Sequence, residues 1–126
     1  MSKIIVVDDD YSTTSLVRML LEMDGHAVTT CVEPEKALAA AREGVKAFII
    51  DCYLDKKTSG IDLLRSIREH ENPSIREAPV IMVSGDQRLT EEVTEAGADR
   101  FLLKPYSPAD LSQQVEDVIA ARAGGD

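Results

Sequence analysis

Ile4-Ile5-Val6-Val7 runs without a break into Asp8-Asp9-Asp10: four apolar residues, then three carboxylates. A strand with one wet face would alternate apolar with polar residues. An unbroken apolar run of this length instead suits a strand covered on both faces, as in a parallel sheet. Four further short runs follow, Ala27 to Val32, Ala47 to Ile50, Val80 to Val83 and Phe101 to Leu103. Most are likewise continuous.

The segments between these runs carry a helical period. Leu16, Leu20 and Met23 fall on one face, as do Leu89, Val93 and Ala96, while Leu111, Val115, Val118 and Ile119 recur at i, i+4, i+7 and i+8. Pro34 stands where a first helical turn tolerates proline, ahead of Ala37, Leu38 and Ala41. Ile61, Leu63, Leu64 and Ile67 mark a third helix, which must end before Asn72-Pro73. Five strand–helix alternations predict a doubly wound (βα)5 α/β domain, and a flavodoxin-like parallel sheet in the order 2-1-3-4-5 would put the second strand at the edge. No repeat or linker interrupts the pattern, so one domain is expected over residues 1–123, with residues 124–126 as a tail.

A chain of 126 residues with 44% hydrophobic content can bury a single core without staples. Cys31 and Cys52 have neither metal nor redox spacing and read as reduced, half-buried thiols. The apolar start is too short for a signal-peptide core or a membrane span, so a cytoplasmic protein without membrane association is expected. Acidic residues outnumber basic ones by 23 to 14, a formal charge of −9. No stripe of Lys and Arg is present to neutralise a phosphate backbone, so direct nucleic-acid binding is not expected.

Ligands of open α/β sheets bind beyond the carboxyl ends of the strands. Asp8, Asp9 and Asp10 follow the first run, Asp51 the third, Ser84-Gly85-Asp86 the fourth, and Lys104-Pro105 the fifth. The second run ends in Cys31 and Val32, as suits an edge strand. A lone aspartate after a strand is most often a turn residue or helix N-cap, and Asp10 with Ser12 suits that role. The coincidence after four strands points further. Clustered carboxylates repel unless something offsets them, and a hard divalent cation such as Mg²⁺ does so while accepting phosphate oxygens. A carboxylate is also a nucleophile in phosphoryl transfer, and a lysine and a hydroxyl can neutralise or bond the transferring group.

The ordered segments Ile5-Val6-Val7-Asp8-Asp9-Asp10, Phe48-Ile49-Ile50-Asp51, Val83-Ser84-Gly85 and Ala96-Gly97-Ala98-Asp99, running on to Lys104-Pro105-Tyr106, resemble the response-regulator receiver family over essentially the whole chain. The resemblance implies that Asp51 accepts a phosphoryl group from a sensor histidine kinase or phosphotransfer protein. It implies Asp9 as a direct Mg²⁺ ligand, Asp8 as a ligand through water, and the Tyr53 backbone carbonyl as a further ligand. Ser84 would bond the phosphoryl group, Lys104 would pair with it, and Ser84 with Phe101 would form the switch. The Lys104–Pro105 bond is expected to be cis. A surface of the fourth helix, fifth strand and fifth helix would carry the output.

The chain departs from the family after Asp51, where Asp55 replaces a proline and Gly60 comes nine residues on, implying one inserted residue among Lys56-Lys57-Thr58-Ser59. Ser84 stands in place of Thr, and Phe101 in place of Tyr. Two rival readings remain. Asp8-x-Asp10 approximates the nucleophile motif of haloacid-dehalogenase-type phosphatases, although the acidic pair such enzymes need after the lysine is missing. A receiver-like interaction module that is never phosphorylated is the other. The favoured reading is a phosphoacceptor rather than a turnover enzyme.

Overall fold

Successive side chains of a strand point to opposite faces, so each unbroken apolar run feeds two cores at once. In the computed structural model, which describes residues 3–54 and 59–124, this is how the chain folds. The strands are β1 (Lys3–Val7), β2 (Val28–Cys31), β3 (Val45–Asp51), β4 (Val80–Ser84) and β5 (Arg100–Leu103). They form one parallel sheet in the expected order β2-β1-β3-β4-β5. Ile5, Val7, Phe48, Ile50, Val80 and Met82 line one face, and Ile4, Val6, Ile49, Ile81 and Val83 line the other.

The first face is covered by α2 (Pro34–Ala41), α3 (Gly60–Arg68) and α5 (Thr90–Glu95), the last preceded by a 3₁₀ turn at Gln87–Leu89. The second is covered by α1 (Tyr11–Met23) and α6 (Pro108–Gly124). Helix α6 thus runs to the first residue of the expected tail. One short helix was not expected, α4 (Pro73–Arg76). Asn72 and Pro73, read from sequence only as a stop, also start it: the Asn72 side chain accepts from Ser74 N at 2.9 Å, and Pro73 opens the first turn.

The inward face of α1 also departs from the expectation. Thr14, Val17 and Leu21 are buried, whereas Leu16 is 44% and Met23 75% exposed. The two stripes lie about 125° apart on the helix. The inner one was disguised by Thr14, whose hydroxyl is satisfied by Tyr11 O at 3.1 Å and so can be buried. Both cysteines are buried rather than half-buried, Cys52 completely, and burial pushes the Cys52 thiol up to about 12.

At the amino ends of β4 and β5 a polar hub joins four elements. Arg68 of α3 donates to Gly97 O, Arg76 O and Ala78 O at 2.9, 2.8 and 2.7 Å. Its guanidinium also pairs with Asp99 at 2.9 Å, and Asp99 in turn accepts from Val80 N at 2.8 Å and from Arg122 of α6 at 2.9 Å.

Candidate functional site

The opposite end of the sheet, where β1, β3, β4 and β5 finish, gathers the residues singled out in the sequence. Asp8, Asp51 and Ser84 are buried there, Lys104 is half-buried, and Asp9 is exposed. One carboxylate oxygen from each of Asp8, Asp9 and Asp51 lies within 4.8 Å of the others. The Lys104 ammonium stands between two of them, 2.7 Å from Asp51 Oδ2 and 3.4 Å from Asp8 Oδ2.

Three strand ends repeat one local device. Asp8 Oδ1 accepts from the backbone N–H of Asp10 at 2.9 Å, and Asp51 Oδ1 accepts from that of Tyr53 at 3.0 Å. Ser84 Oγ accepts from the N–H of Asp86 at 3.0 Å. In each loop a side chain bonds the amide two residues on, which fixes its rotamer, and the two aspartates also reach Lys104 across the crevice. The strand ends are themselves held together, by Cys52 N to Val83 O at 2.9 Å and by Lys104 N to Ser84 O at 2.7 Å. The Lys104–Pro105 bond that follows is cis.

Gly60 brings α3 hard against Asp51. Its N–H donates to Cys52 O at 2.9 Å, and a Cβ at this position would lie 1.8 Å from the Asp51 carbonyl oxygen. Ser59 caps the helix by accepting from Ile61 N and Asp62 N, and pairs as an isolated bridge with Tyr53. Asp55 and Lys56-Lys57-Thr58, where the inserted residue was placed, lie outside the described residues.

Burial and the neighbouring Asp51 charge raise the Asp8 carboxyl above the ordinary range, against the lowering effect of the Asp10 N–H. Burial alone would lower the Lys104 ammonium, but its bonds to Asp51 and Asp8 outweigh this and hold it above its usual value. Three acids around one ammonium leave an excess of negative charge. Compact, hard oxygen donors in that state suit a small divalent cation. Asp10 does not join them: its carboxylate caps α1, accepting from Thr13 N at 3.3 Å and Thr13 Oγ1 at 2.8 Å. That leaves the Asp8-x-Asp10 pair of the phosphatase reading without its second acid.

Two residues near the site had no role assigned from sequence. Tyr106 is half-buried, and its phenol is pushed up to about 12, by burial first and then by the Asp8 carboxylate. Asp86 grips Arg88 beside Ser84, a pairing readable only as the i, i+2 spacing of an acid and a base. Phe101 lies on β5 opposite Met82, half-buried against the core.

Among the described residues, no helix is long and apolar enough to cross a membrane. A family model for the response regulator receiver domain matches residues 4–116. The transcriptional regulatory protein CpxR of Klebsiella pneumoniae is 34% identical over 121 residues, which are 94% of this chain and 50% of that protein. The chain therefore spans about half the length of the curated relatives it matches. The receiver domain of NtrX from Brucella abortus matches with a TM-score of 0.82 and 28% identity, covering 94% of this chain and 98% of that one. The receiver domain of the sensor histidine kinase PA1611 from Pseudomonas aeruginosa, solved with a magnesium ion coordinated in the active site cleft, gives a TM-score of 0.80 and 25% identity over 94% and 98%. In family, fold and acidic crevice alike, the chain belongs to the receiver domains of two-component response regulators.

Proposed function

We propose that Asp51 is the phosphoacceptor, taking a phosphoryl group from the phosphohistidine of a sensor histidine kinase or phosphotransfer protein in the cytoplasm. One observation carries this reading. The buried Asp51 carboxylate is held by an ammonium at 2.7 Å and a backbone N–H at 3.0 Å, with two further acids within 4.8 Å. A carboxylate fixed in this way is oriented for in-line attack, which is where positioned groups gain most. An Asp51 oxygen bonds to phosphorus as the P–N bond breaks, and the leaving imidazole takes its proton from solvent. Later attack of water on phosphorus returns the carboxylate and inorganic phosphate, so the domain is modified and reset rather than acting on a separate substrate.

Asp8, Asp9, Asp51 and the Tyr53 carbonyl would hold Mg²⁺, which supplies charge neutralisation for the three phosphoryl oxygens. Lys104, already bound to Asp51, keeps its cation in place for the modified carboxyl. The Ser84 hydroxyl, which accepts from Asp86 N in this structure, would move to bond a phosphoryl oxygen. Phe101 would follow it, and the surface of α5, β5 and α6 would present the change to a partner. Nothing on that surface forms the basic stripe that nucleic acid needs, so the partner is a protein surface.

The test is labelling with acetyl phosphate and Mg²⁺. Wild type should gain one labile phosphoryl group and Asp51→Asn none. Labelling that persists in Asp51→Asn but disappears in Asp8→Asn would replace this reading with the phosphatase.

A further inference from the structure

The Ser84 hydroxyl is buried at the end of β4, yet its hydrogen bond points along the chain and not across the crevice. Its oxygen accepts from Asp86 N at 3.0 Å. Asp86 is itself held firmly. Its carboxylate caps the 3₁₀ turn through Arg88 N at 3.0 Å and grips the Arg88 guanidinium at 2.9 and 3.0 Å. Arg88 is otherwise in water, 87% exposed, and bonds no other acid among the described residues. A bidentate pair between an exposed guanidinium and a partly buried carboxylate at the surface adds little to stability. Here it is local: it holds the side chain of the residue whose amide bonds Ser84.

We propose that Asp86 and Arg88 are positioning residues that latch the Ser84 hydroxyl in its resting place, so that their pairing sets how easily the site commits to its phosphorylated form. The inference rests on the assignment of Asp51 as acceptor. When Ser84 turns towards a phosphoryl group, the Asp86 N–H loses its acceptor. With the carboxylate cap and the guanidinium in place, that N–H cannot easily turn to water, so the loss is felt in full. Without the cap, the turn relaxes, the amide is hydrated, and Ser84 is released at less cost.

The charge of Asp86 supplies a competing explanation, because any acid near the crevice repels an anionic ligand. Three variants separate the two. Asp86→Asn loses the charge but keeps a good capping oxygen. Asp86→Ala loses both, and Arg88→Ala removes only the guanidinium. Beryllofluoride with Mg²⁺ serves as the phosphoryl mimic, its affinity read by titration against the native fluorescence of the tyrosines or by amide shifts.

A latch predicts that Asp86→Ala binds the mimic about threefold to tenfold more tightly than wild type, the worth of one hydrogen bond. Asp86→Asn and Arg88→Ala each lose the guanidinium pair but keep an oxygen on the residue 88 N–H, so both should fall between wild type and Asp86→Ala. In a Ser84→Ala background the Asp86→Ala gain should vanish, because no hydroxyl remains to be held. Equal gains in Asp86→Asn and Asp86→Ala, or an undiminished gain in the Ser84→Ala background, overturn the latch and leave charge alone as the cause. If wild type binds beryllofluoride and is labelled at Asp51 while every variant behaves as wild type, the latch fails and the acceptor assignment stands. If wild type neither binds the mimic nor takes label, both fail together.

Discussion

Gly60→Ala adds one methyl group where the start of α3 meets the end of β3. The new Cβ would lie 1.8 Å from the Asp51 carbonyl oxygen, 2.8 Å from its carbon and 2.9 Å from Ile50 Cγ2. Ordinary contact begins near 3.4 Å, so the two backbones must separate by about 1.6 Å. No side-chain rotation relieves this, because the obstacle is main chain. Elsewhere in a helix the same substitution gains up to about 1 kcal/mol of propensity. Here overpacking should reverse the sign and cost roughly 2 kcal/mol or more, lowering the melting temperature by about 8 °C. Asp51 would move by a comparable distance, and a displacement near 1 Å is worth about a hundredfold in rate for a positioned reactant. The assays are thermal unfolding and the rate of labelling by acetyl phosphate at saturating Mg²⁺. Gly85→Ala is the control, since a Cβ there meets nothing within 4 Å and stability should stay within about 0.5 kcal/mol. A Gly60→Ala protein that melts at or above wild type and is labelled at the wild-type rate would refute the close approach and its catalytic consequence.

In chelator at pH 7, Asp8→Asn should melt higher than wild type, by about 1 kcal/mol of stability. It removes a buried charge whose pKa is already raised yet keeps an acceptor for the Asp10 N–H, and a lower melting point would show that Lys104 fully compensates the acids. Asp9, being exposed, should change metal-free stability little when replaced by alanine but should lose most of the gain from Mg²⁺, about 2.7 kcal/mol in wild type at a hundred times the dissociation constant. Full retention of that gain in Asp9→Ala would exclude it as a ligand. The Tyr106 phenol should titrate near 12, an ultraviolet step absent from Tyr106→Phe. Because the folded state holds this proton above the ordinary value of 10, its contribution to stability is complete below pH 10 and is lost between 10 and about 12. A Tyr106→Phe protein whose stability falls as steeply as wild type over that interval would contradict the burial of the phenol.

Much of this molecule is readable from its order of residues because parallel strands buried on both faces leave a strong signal. Every expected run became a strand, and the site lies at the ends of four of the five. Helix phase was harder. In α1, Leu16, Leu20 and Met23 make a larger apolar stripe than Thr14, Val17 and Leu21, yet the second faces the core. Periodicity counts apolar residues and cannot see that a threonine may satisfy its hydroxyl on its own helix. The site was legible as a set but not in its details. Which oxygen Lys104 favours, and that Ser84 rests on Asp86, depend on rotamers chosen by contacts across the crevice. Arg68 and Asp99 are separated by 31 residues, and nothing in their local surroundings announces that they meet.

That meeting divides the molecule into two mechanical halves. Around Arg68 and Asp99, guanidinium groups on two helices are cross-braced to carbonyls, an amide and a carboxylate at the strand starts, a web in which each bond restrains several backbones. At the other pole the strand ends are held by an uneven balance of like charges and single local bonds, which the added charge of a phosphoryl group can tip. Slow amide exchange should therefore concentrate at the braced pole, while the acidic pole opens by sub-global fluctuation well before the whole chain unfolds. Such a division lets a chemical event at one end rearrange the loops beside it while the opposite end serves as a fixed mount.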